Sequence, residues 1–100
     1  MIRDFLIIDC TGKNDSIALK IDSKFFFKKL QTNLIKNEML ALNIHTFFQE
    51  NNVKTNNKLS LIVNSGPGSF SGIRIALAVA KGIQLVNKAN IYSYNYFLLN

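Results

Sequence analysis

The spacing of apolar positions changes character along the chain, and each change marks a new element. Phe5-Leu6-Ile7-Ile8 is a continuous apolar run ending at Asp9, which predicts a fully buried strand. Cys10 to Asp15 is rich in turn formers. Ser16 to Ile21 predicts a second strand, Asp22-Ser23 a turn, and Lys24 to Leu30 a third strand whose lysines suit an exposed sheet edge. From about Leu34 to Glu50 the period becomes helical. Leu40, Ile44, Phe47 and Phe48, with Met39 and Leu42 beside them, mark an amphipathic helix, with Asn33 as a candidate cap. After the polar connection Asn51 to Lys58, Leu61 to Asn64 predicts another buried strand. Ser65 to Ser69 breaks regular structure, Phe70 to Asn87 is helical, and Asn90 to Tyr94 predicts a last strand. The tail from Asn95 to Asn100 receives no assignment.

The order β-β-β-α-β-α-β predicts an α/β protein. Helices between strands of one sheet imply parallel pairs joined by right-handed crossovers. The first strand is therefore expected beside the fourth, with the antiparallel meander on one side and the fifth strand on the other. This is a mixed five-stranded sheet of order 3-2-1-4-5 with helices packed on it. In the second helix Arg74, Lys81, Gln84 and Lys88 fall in one narrow stripe, and the remaining circumference is apolar or small. So wide an apolar surface predicts burial on a second side, by another subunit. Gly72, Ala76 and Ala80 recur at four-residue spacing and permit a close helix approach.

Length and composition narrow the class. One hundred residues, 48% hydrophobic, make one domain with a radius of gyration of roughly 13 Å. The net charge of +6 raises the alternative of a small basic RNA-binding module, but the lysines are scattered and arginine occurs only as Arg3 and Arg74. Cys10 is the single cysteine, which excludes a disulfide framework or a CxxC site. Phe5 to Ile8 is too short for a secretory leader, and no apolar run reaches membrane-spanning length, so a cytoplasmic location is expected.

Candidate chemistry is sparse. A glycine-rich turn before a helix can hold an anion, because free N–H groups point at it. Gly66, Pro67, Gly68, Ser69, Phe70, Ser71, Gly72 and Arg74 form such a segment, yet no lysine stands where a P-loop needs one. Asp9 at a strand end could bind a metal or a phosphate, but Glu38 and Ser65 do not supply the convergent carboxylates of a two-metal site. A turn or capping role is the plainer reading of Asp9. Cys10 and His45 form a nucleophile–base pair only if they meet in space; otherwise Cys10 is a small buried residue and His45 a surface one. No catalytic residue, resident metal or cofactor is expected.

At Gly66 to Arg74, GPGSFSGIR, followed by Ala80-Lys81-Gly82, the chain resembles the TsaB (YeaZ) family, whose members carry GPGSFTG-[ILV]-R and then AKG. Ser71 departs conservatively from the family's threonine. Leu6 to Thr11 and Ser16 to Leu19 also look like the family's LAIDTST and SVAL. The resemblance implies a ribonuclease-H-like, actin-like fold, here as the N-terminal lobe over residues 1–100 with the second lobe absent. It implies a non-catalytic scaffold in making N6-threonylcarbamoyladenosine in tRNA. The partner it implies is a TsaD-like paralogue that carries metal and transfers the threonylcarbamoyl group; TsaE is a further candidate, and a homodimer is expected in isolation. A weak contact with tRNA is a further expectation. The interface with the TsaD-like partner, or with a second copy, is expected through Met39, Leu40, Asn43 and Phe47 of the first helix and Ile73, Ala76, Leu77 and Ala80 of the second, so that Ala76→Glu or Ala80→Glu would weaken association. The alternative is a remnant nucleotide- or phosphate-binding lobe using Asp9, Thr11 and Gly12 with the Gly66–Gly68 turn.

Overall fold

The computed structural model describes residues 4–12, 14–30, 37–53, 59–87 and 90–94, with the side chains of residues 37, 38, 86 and 87 set aside. Five strands, β1 (Asp4–Asp9), β2 (Ser16–Ile21), β3 (Lys24–Lys29), β4 (Leu59–Asn64) and β5 (Asn90–Tyr94), and two helices, α1 (Asn37–Glu50) and α2 (Phe70–Asn87), follow the expected order. The sheet runs β3-β2-β1-β4-β5. β2 is antiparallel to both neighbours, while β1 with β4 and β4 with β5 are parallel. The radius of gyration is 12.5 Å.

Local chemistry explains the joints. Asp22 and Ser23 both have positive φ, which a two-residue hairpin matching the strand twist requires. Asn52 adopts φ 54° just beyond α1. The Val53 N–H donates to the Phe48 carbonyl and the Asn52 N–H to that of Gln49, a Schellman closure of the helix. The expected cap Asn33 and the first turn proposed from Leu34 lie outside the described residues. β4 begins two residues before the predicted Leu61, because Leu59 and Ser60 pair with Asp4 and Phe5 of β1.

The core lies on one side of the sheet. Leu6, Ile8, Ile17, Leu19, Leu61 and Val63 meet Leu40, Ile44 and Phe47 of α1 and Ala76 and Ala80 of α2 in one buried cluster. Each fully buried leucine or isoleucine there contributes about 1.5–3 kcal/mol relative to exposure. α2 lies over β1, β4 and β5, and α1 packs beside it. The expectation of a fully buried first strand is corrected here: Leu6 and Ile8 are buried, but Phe5 and Ile7 are only half-buried. Alternation turns them to the sheet's other side, where no described helix lies.

Candidate functional site

Two regions carry the residues singled out by sequence. The first is a junction between the loop leaving β1 and the turn entering α2. Asp9 Oδ1 accepts from both the N–H and the hydroxyl of Thr11, at 3.0 and 2.8 Å, and Asp9 Oδ2 accepts from Asn64 Nδ2 at 3.2 Å. Asn64 Oδ1 in turn accepts the Gly66 N–H at 3.0 Å. The Ser69 N–H donates to the Thr11 carbonyl at 2.5 Å, and Ser69 Oγ caps α2 by accepting the Gly72 N–H at 3.2 Å. Asp9, Thr11, Gly12 and the Gly66–Gly72 turn are thus brought together, as the phosphate reading requires.

Several of their donors, however, are already engaged. Gly12 N–H donates to Asp15 Oδ1 at 2.6 Å, and those of Gly66, Ser69 and Gly72 have the partners just given. Two carboxylates, Asp9 and Asp15, border the loop and oppose an anion. The glycines answer a packing need instead. A Cβ on Gly68 would collide with the Thr11 carbonyl, and one on Gly72 with the Cys10 carbonyl. Gly12, at φ 95°, lies beside Ser69. The junction locks α2 onto the end of β1, with Asp9 in the turn role.

Asp15 and Asn64 were not singled out from sequence, although both belong to turn-forming segments. Asp15 is almost wholly buried, and burial raises its pKa, with the nearby Asp9 adding to the rise and the Gly12 hydrogen bond opposing it. A raised native pKa means the group favours folding below its unfolded pKa and loses that contribution as pH rises through the native value. Asp15→Asn, which keeps an oxygen for Gly12, is therefore expected to flatten this fall. Chemical denaturation at a series of pH values would show the variant gaining on the wild type as pH rises from the acid side.

Cys10 is fully buried, and its thiol is pushed up to about 12 by burial and then by Asp15 and Asp9. His45 is exposed on α1. The thiol is thus far from nucleophilic. Native chain should leave Ellman's reagent unreacted at pH 8 and react promptly in denaturant; a fast native reaction would contradict this. Among the described residues no three or more His, Cys, Asp or Glu side chains are grouped to hold a metal.

The second region is the outward side of the helix pair, and here the expected contact set is corrected. Leu40, Phe47, Ala76 and Ala80 are 0%, 2%, 0% and 0% exposed. They are core, facing the sheet and the neighbouring helix, and offer nothing to a partner. Met39 is exposed, and Asn43, Ile73 and Leu77 are half-buried on the flanks. The outward line of α2 is Phe70, Arg74, Ala78, Lys81 and Leu85, with Phe70 75% and Leu85 84% exposed. Arg74 stands over the Phe70 ring at 5.8 Å, and a shallow groove of about 360 Å³ runs along Phe70, Ser71, Arg74, Ile75 and Ala78. The sequence signal for this line was the Arg74–Lys81 stripe itself, with Ala78 between the two cations and Leu85 one turn beyond Lys81. No described helix is long and apolar enough to cross a membrane.

Strand order, crossovers and the capped Gly-Pro-Gly turn define a mixed α/β lobe compatible with the actin-like fold. The chain is 34% identical over 102 residues to the tRNA threonylcarbamoyladenosine biosynthesis protein TsaB of Buchnera aphidicola subsp. Baizongia pistaciae (strain Bp), covering 99% of this chain and 45% of that protein. It is similar in fold to YeaZ from Pseudomonas aeruginosa, with a TM-score of 0.79, 19% identity, and coverage of 92% of this chain and 43% of that one. A second solved structure, an uncharacterized protein with similarity to peptidase YeaZ from Pseudomonas aeruginosa, gives a TM-score of 0.80 at 19% identity, with the same coverages of 92% and 43%. No family model matches the chain. By sequence along nearly its whole length, and by fold, the chain is similar to the TsaB (YeaZ) proteins. It spans less than half the length of these relatives.

Proposed function

We propose that this chain is an accessory, non-catalytic subunit of tRNA threonylcarbamoyladenosine biosynthesis, corresponding to the N-terminal lobe of TsaB and acting in the cytoplasm. The observation that carries the reading is the 34% identity to TsaB over 99% of the chain. In this reading the outward side of α2, from Phe70 through Ala78 to Leu85, with Met39, Ile73 and Leu77 at its margin, docks a TsaD-like paralogue. The half-apolar composition of that side supports it. Large exposed apolar side chains at both ends of this line, with two cations and an alanine between them, suit a protein interface better than a fully solvated helix face. A specific contact would bury on the order of 1,200–2,000 Å² in total. The inert Cys10 and the fully bonded Asp9 agree with a scaffold whose chemistry resides in its partner.

The test is genetic and chemical together. Expression of the chain in cells depleted of their own TsaB, with its TsaD-like paralogue supplied, should restore the modified nucleoside in hydrolysed tRNA, read by mass spectrometry. Leu85→Glu should lower the yield several-fold while the protein stays folded. Equal yield from wild type and an empty vector would sink the proposal.

A further inference from the structure

We draw no further inference here: the strongest candidate, the surface patch along the edge strand β3 where Phe25 and Phe27 are 72% and 70% exposed beside Lys24 and Lys29, carries nothing because nothing in the structure shows what covers it.

Discussion

Gly72→Ala is expected to unfold or nearly unfold the chain, whereas Gly82→Ala, in the same helix, is expected to stabilise it. The added methyl at Gly72 lands on the Cys10 carbonyl, which is backbone and cannot turn away. Relief requires lifting the first turn of α2 from the end of β1, against the Ser69–Thr11 hydrogen bond and the buried Ala76 below it. Overpacking of this kind costs about 3 kcal/mol or more, since no flexible side chain absorbs it. At roughly 4–8 °C per kcal/mol for a chain of this size, Tm falls by about 12 °C at least. Gly82 is exposed with open space around its Cβ position. Alanine there gains helix propensity of about 0.8–1 kcal/mol, raising Tm by several degrees. Thermal melts followed by circular dichroism distinguish the two. Shifts of the same sign and size would mean that α2 does not sit against the β1 exit.

The second large effect separates core from surface along α2. Ala76→Glu places a carboxylate where the native side chain has no exposure, against the sheet. Even after relaxation or protonation this costs about 4 kcal/mol, a large share of the roughly 5–15 kcal/mol that holds a domain together. The expected result is an unfolded or molten chain, and any loss of association follows from that. Ala78→Glu, two residues on and exposed, should change stability by less than about 0.5 kcal/mol. Should Ala76→Glu melt like the wild type, the packing of α2 on β1 and β4 would have to be redrawn.

Much of the fold was legible because its signals are local. The 3.6-residue period set α2 at Phe70–Asn87, and Asp22-Ser23 set the hairpin. Strand order followed from the handedness of crossovers, with no tertiary information. The site was less legible. A helix apolar on most sides does not reveal which line meets the sheet, so Ala76 and Ala80 were read as contact residues when they are core. Phe5 to Ile8, a continuous apolar run, reads alike for a sheet covered on both faces and for one covered on one face. Only the register and the shared side of α1 and α2 separate these cases. The tightness at Gly72 is likewise tertiary, since the carbonyl it accommodates lies far away in sequence. Leu59 joined β4 because β1 pairs with it there, a length no local pattern records.

The most direct measurement is a calorimetric titration of the chain with a TsaD-like protein, the partner proposed above, run in parallel with Ala78→Glu. The predicted result is a one-to-one complex with a micromolar or tighter Kd, weakened at least tenfold in a variant whose melting curve is unchanged. No heat of association with the wild type at high micromolar concentration, or equal affinity for both chains, would contradict it.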